Sequence, residues 1–412
     1  MNKYLYIIVF SFVFVKSFSQ SNTLTNSPYS LYGLGEKNLL NTGKTNGLGG
    51  TGIALPSSTM MNNLNPASYG AIPQNHFFFD VGINYQINNL SEAGNEDRKT
   101  NGNFSNIAFA LPINEKSGVG LSLLPYTDVG YNFTSLQNNI EGSSEAYYTS
   151  IDGYGGINEL AINYGISLGK KLRLGISGEV LFGKITEYET NYIGNNTLEL
   201  IEQNYYSGFK AVFGVQYDAS ENISFGAVVN SPTNLGASQN QTVYQYQQNT
   251  QVASSSDENN ISDFSLPLDI GLGISSNLSE ELTVSADYTR EFWTATNQSD
   301  NLGTYVDRDF IGLGLEFLPR GNPLRYTNHI QYRLGMNYDS GNLEVSGIKT
   351  HNYSINVGLG LPLNTRSSSM FNLMYSYGKK GIVSDGLIQE NYHTLSLNIS
   401  LQDIWFVKRK FN

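Results

Sequence analysis

Few residues in this sequence are arranged for chemistry. Gly47-Leu48-Gly49-Gly50-Thr51-Gly52 fits the G-x-G-x-x-G pattern by letter. That pattern holds a dinucleotide only between a strand and a helix, because the helix N-terminus carries the pyrophosphate. No strand pattern precedes Gly47, and Ile53-Ala54-Leu55-Pro56 cannot open a long helix. Glycines that allow tight turns in a crowded space are the better reading. The four histidines, His76, His329, His351 and His393, divide between two opposite rims in the layout derived below, so they do not converge on a metal. Neither H-E-x-x-H nor G-x-S-x-G occurs. Asp257-Glu258-Asn259-Asn260 could hold a cation weakly, but a solvated acidic loop is the plainer reading. The absence of cysteine excludes disulfides and thiolate metal sites. No catalytic residue, cofactor or metal is therefore expected. Asn65-Pro66-Ala67 is different: proline stiffens a turn and asparagine caps backbone groups, at the point where an irregular segment meets the first strand pattern.

The composition limits what can position such residues. Of 412 residues, 40% are hydrophobic and 14% charged, while glycine occurs 42 times, tyrosine 28 and phenylalanine 21. Both the charged and the apolar share lie below those of an average soluble protein. The chain is thus rich in neutral polar residues, glycine and aromatics, which suit strands and turns. Lys3 followed by the apolar stretch Tyr4 to Val15, with Ser17 and Ser19 before Gln20, reads as a cleaved signal peptide over residues 1–19. Its removal takes away two of 24 basic residues and none of 35 acidic ones, moving the net charge from −11 to −13. Such acidity opposes nucleic-acid binding. Beyond this leader no apolar run approaches the ~18 residues that a spanning helix needs.

From position 77 onward, apolar residues recur at every second position in fourteen runs. They are 77–87, 107–113, 119–133, 160–168, 172–182, 205–217, 223–229, 264–274, 282–292, 311–317, 330–338, 353–361, 371–377 and 393–401. Connections between them alternate long and short throughout. The long ones include 88–106, 134–159, 183–204 and 230–263. This pattern predicts an all-β fold: a 14-stranded antiparallel transmembrane β-barrel with short turns on one side and long loops on the other. Tyr85, Tyr131, Tyr164, Tyr217 and Tyr338, near strand ends, suit aromatic girdles. A sheet of this size closes around a lumen too wide for its own side chains to fill. Residues 20–74 do not alternate, and their natural place is that lumen, as an N-terminal hatch or plug ahead of a barrel at 75–412.

The run Gly47–Ala54, then Asn65-Pro66-Ala67, then an aromatic first strand resembles the FadL/TodX-type outer-membrane transporters over about residues 27–85. The resemblance implies a fourteen-stranded barrel whose hatch ends near an asparagine–proline–alanine motif, here Asn65, Pro66 and Ala67. It also implies uptake of small hydrophobic molecules, long-chain fatty acids or aromatics, across the outer membrane, with no enzymatic activity. Capture by outer loops would be followed by a hatch-closed lumen site and then by lateral or periplasmic release. Leu31, Tyr32, Leu39, Leu40, Ile53, Leu55, Met60 and Met61 are the hatch residues expected to meet an apolar ligand. The expected partners are outer-membrane lipid and the hydrophobic solute. The alternative is a PorV-like barrel acting as partner or shuttle in type IX protein secretion, with loop 236–252 contacting protein. An apolar cavity beside the hatch and a kink in the wall there favour uptake. A lumen packed with charged side chains counts against it.

Overall fold

The architecture was taken from a computed structural model. It describes residues 24–404 apart from 40, 93, 141, 143–145, 299–302, 322–324, 364–367 and 385. The expected leader and Leu40 therefore lie outside the described residues.

Fourteen antiparallel strands form one closed sheet. We number them β1 (His76–Glu92), β2 (Asn95–Asn114), β3 (Ser117–Asn139), β4 (Ala146–Leu168), β5 (Leu172–Ile193), β6 (Asn196–Asp218), β7 (Ile223–Asn230, continued by Thr233–Gln247), β8 (Thr250–Asn260, continued by Phe264–Leu266 and Asp269–Asn277), β9 (Leu282–Glu291), β10 (Arg308–Phe317), β11 (Gln331–Asp339), β12 (Asn352–Pro362), β13 (Met370–Lys380) and β14 (Gln389–Ile404). Closure comes from β1 against β14, from His76 opposite Ile404 to Ser91 opposite Gln389. It pairs backbone groups that lipid cannot satisfy. Each of the fourteen alternating runs is a strand.

The alternation shows which face meets lipid. On β8, Leu272 and Ile274 point out and are exposed, whereas Gly271, Gly273 and Ser275 are buried on the inner face. Elsewhere the inner face is polar: Ser285, Asn337, Asn356, Asn372, Ser376, Asn398 and Ser400 are all buried. An apolar exterior around a polar interior is the inverse of a soluble barrel and matches a membrane span.

Two expectations need correction. First, most of 88–106, 183–204 and 230–263 is strand rather than loop. β5 and β6 meet at a turn of two residues, and β7 turns into β8 at Gln248-Asn249, both at positive φ of 47° and 63°. Positive φ at both central residues matches the right-handed strand twist, so the strands run on as a hairpin. Asp257-Glu258 thus lies on a strand. Opposite Ser231-Pro232 stands Pro267-Leu268, and both strands break there because neither proline donates to the ladder. Second, Tyr131 points inward and is buried, whereas Tyr85, Tyr164, Tyr217 and Tyr338 are exposed on the outer face. The β3–β4 register shifts between Pro125 and Thr127. A slip of one residue exchanges the two faces of a strand, so the odd positions after it turn inward.

Residues 24–72 lie inside the ring. Gly43 faces Asp80 of β1 and Ser400 of β14, Gly49 faces β10 and β11, and Ile53 faces β7 and β8. Pro66 and Gly70 face β4 to β6. One segment that touches strands on all sides of a closed sheet must sit in its lumen. The wall answers with glycine: a Cβ at Gly175 would collide with the Pro66–Ala67 backbone, and one at Gly335 with Leu48–Gly49.

On the lipid face, Leu272→Arg is expected to destabilise the barrel by ~2–4 kcal/mol, the cost of a cation near the bilayer midplane. Reversible urea unfolding in phospholipid vesicles measures it.

Candidate functional site

The segment crosses the lumen from end to end and is held by charge. Glu36 and Lys37 form a short strand whose side chains diverge. Lys37 Nζ lies 2.6 Å from Glu291 Oε1 and 3.9 Å from Asp269 Oδ2, while Lys380 of β13 reaches Glu36 at 2.8 Å. Arg308 joins Glu291 to Asp339, the latter at 2.6 Å. Further along, Lys44 pairs with Glu316, which also takes Arg333 at 2.9 Å. Lys210 bridges Glu159 and Glu179 at 3.0 and 2.7 Å. Burial alone would depress the Lys37 ammonium, but Glu291, Tyr126 and Asp269 outweigh it and hold its pKa above the usual lysine value.

Asn65-Pro66-Ala67 is a buried joint. Asn65 Oδ1 accepts from Ala67 N at 3.0 Å and caps the short 3-10 helix Pro66–Ala71. Its Nδ2 donates to Ile53 O, Val215 O and Ala227 O at 2.9, 3.0 and 3.3 Å, tying plug to wall. The glycine motif next to it binds a protein carboxylate: Gly52 N and Ile53 N donate to Asp287 Oδ2 at 2.7 and 2.9 Å. Two amides at the end of the motif are thus taken by a carboxylate of the wall.

Among the described residues the wall is open between β2 and β3. β2 and β3 pair from Asn114–Ser117 only as far as Ile107–Leu123. Beyond that, β2 pairs with β1 alone as far as Asn95, and β3 pairs with β4 as far as Asn139. The Pro125 register shift is where they part. Plug residues Glu36 and Lys37 pair with Asp128 and Thr127 in the opening. Asp128 spans it, accepting from Asn38 Nδ2 at 2.9 Å on one oxygen and from Asn103 Nδ2 at 3.1 Å on the other. Behind it lies a cavity of about 210 Å³ that Leu39, Asn84, Asn103, Phe104, Pro125 and Asp128 help to line.

The apolar residues expected of a ligand site fall into separate groups. Leu39, which is exposed, and Ile53, packed on Val212 and Val228, both line a cavity of about 150 Å³ with Leu64 and Phe310. Leu55, Met60 and Met61 line an 820 Å³ recess at the short turns, together with Lys170 and Asp218. Leu31 packs against an aromatic group in the opposite half, where Trp293 stacks on Tyr305 at 5.0 Å and Phe264 meets Trp293 at 6.3 Å. Tyr32 lines the 90 Å³ cavity beside that group. This is smaller than the ~150 Å³ cavity known to admit benzene. Sequence reasoning did not find the opening or the ion pairs. Pro125 inside a strand pattern was the one available signal for the former.

These features define the molecule as a plug-filled, fourteen-stranded transmembrane barrel with a split in its wall. Solved barrels share the fold. The Pseudomonas putida toluene transporter TodX matches with a TM-score of 0.63 at 14% identity, covering 90% of this chain and 100% of that one. The Ralstonia pickettii toluene transporter TbuX gives 0.59 at 15%, covering 88% and 98%. A Pseudomonas aeruginosa FadL homologue gives 0.57 at 12%, covering 89% and 99%. No curated protein sequence matches the chain. The BamG family model spans residues 1–412, and the chain belongs to the BamG family.

Replacing Lys37 by Met leaves Asp269 and Glu291 without one of their cations and is expected to cost ~3–5 kcal/mol. Adding Glu291→Gln should not recover it, because Arg308 then loses a partner. Thermal melting of the purified barrel checks both variants.

Proposed function

We propose that this barrel sits in the outer membrane and passes small hydrophobic molecules, fatty acids or aromatics, through the split between β2 and β3. The observation that carries this reading is the split itself, backed by the plug strand Glu36–Lys37 and opening on a cavity. An apolar solute can reach it from the lipid without crossing the charged lumen. Passage along the barrel axis is disfavoured, since it would separate buried ion pairs that cost several kcal/mol each to break. In this reading Asp128 and the Asn38 and Asn103 amides are the latch. Leu39, Phe104 and Pro125 form the apolar lip. Residues 20–74 are the hatch, exported behind the leader 1–19. Likeness to toluene and FadL-type barrels supports the fold on which this rests.

A second reading, a barrel that serves other proteins as a partner, is favoured by the pinned plug and by the tall wall of β3 to β8. The two separate in vesicles. Passage predicts that the purified barrel binds long-chain fatty acids or toluene. It also predicts that deleting residues 20–62 raises solute leakage while the barrel stays folded. Absence of binding across such a panel, with leakage unchanged, removes the first reading.

A further inference from the structure

Beyond the outward apolar band, β3 to β8 continue as a six-stranded antiparallel sheet. It ends at the β8 segment Thr250–Asn260, all of whose residues are exposed. Among the described residues this segment pairs with β7 alone, leaving its other edge without a ladder. Natural edges are blunted by charged side chains, lysine above all, or by proline, bulges or shortness. This one has neither lysine nor proline, its charges are Asp257 and Glu258 alone, which repel like edges and admit a basic one, and it runs regularly from Ala253 to Asn260 after one shift at Gln251/Ala253. The free edge of β3 is instead interrupted between Phe133 and Leu136.

The register puts charge along one row that leads to this edge. Tyr131, Gly153, Glu187, Glu202, Gln241 and Asp257 stand opposite one another in turn across the six strands. Glu187 and Glu202 are direct neighbours, an arrangement that costs stability. Their hydrogen bonds come from neutral groups, the Tyr131 hydroxyl and Gln241 Nε2, the latter at 2.8 Å. With Glu189, Glu199 and Glu258, the hairpins carry six acids over 184–207 and 233–260, against the single base Lys184. None of the six is in an ion pair among the described residues.

We propose that Thr250–Asn260 is a docking edge for an extended basic segment of another protein. That segment adds a seventh strand with Lys or Arg opposite Asp257. Backbone pairing supplies the affinity and the acid row the specificity. A second copy of this chain does not fit, because its own edge, Thr250–Asn260, carries no Lys or Arg to set opposite Asp257. The proposal is independent of passage through the wall.

The test uses the mature barrel in zwitterionic nanodiscs and fluorescent peptides of about nine residues that alternate Val or Thr with Lys, or with Glu as control. Fluorescence anisotropy should show the Lys peptide binding and the Glu peptide not. Asp257→Lys should weaken binding about fivefold, the upper end for one cross-strand charge pair. Proline is placed at Ser255 and at Ser256 in turn, since successive amides point to opposite edges. The variant whose proline faces the free edge should lose binding while keeping its heat-modified gel mobility. The proposal is overturned by equal binding of the two peptides, by no binding, by binding indifferent to Asp257→Lys and to both prolines, or by edge-dependent dimers of the free barrel in native mass spectrometry.

Discussion

The structure depends on one constraint: a backbone in lipid must satisfy all its own hydrogen bonds. A sheet can do so only by closing. Fourteen strands close around a space that their side chains do not fill, so the lumen must hold something else. Here it holds the chain's own N-terminal segment. The plug follows from the barrel's width, and the lumenal charge follows from the plug. A segment with little secondary structure of its own brings many backbone groups into a confined space. The wall meets them with Asn, Ser, Asp and Gln, as where Gln216 Nε2 donates to Ile53 O and Leu55 O at 3.0 Å each. Ion pairs then fix the segment at Glu36, Lys37 and Lys44, and hydrogen bonds from Asn65 fix its far end.

The same constraint explains why the split is placed where it is. Parting two strands exposes ladder groups, and in lipid these need substitutes. Glu36 and Lys37 provide them by pairing with β3 at Asp128 and Thr127. The plug therefore does two things: it fills the lumen and it stands in for a missing stretch of strand. Removing it would unseal the wall as well as the axis.

The barrel was legible in the sequence because lipid writes a strong signal: every outward position is apolar, and all fourteen strands announced themselves that way. The upper strands did not. Above the band apolar residues no longer alternate regularly on one face, so 183–204, rich in Thr, Asn and Glu, reads as loop although it is hairpin. Tyr131 failed for a different reason. Its alternation was read correctly up to Pro125, and the shift there reversed the phase. The ion pairs were out of reach because they join residues far apart in sequence, such as Lys37 and Glu291, or Lys380 and Glu36. Alternation says nothing about which inward charges meet. The apolar plug residues were chosen by type alone, and the fold divides them among separate cavities, Leu39 and Ile53 in one and Leu55, Met60 and Met61 in another.

Charge is used in opposite ways at the two levels of the molecule. In the lumen Glu159, Glu179, Glu291 and Glu316 are matched by lysine or arginine, while Asp80, Asp128 and Asp287 take several neutral donors each. In the upper sheet the carboxylates have no cations, two stand directly opposite each other, and the sheet ends in an open edge. Hairpin strands gain nothing in stability from such a row, and neutral residues with the same strand propensity would relieve it. The lumen shows that this chain satisfies buried carboxylates with cations or with several neutral donors where rigidity is the need. The unpaired row above is thus better understood as surface kept available than as imperfect packing. That division leaves the plug–wall contacts to set stability and the exposed edge to set association.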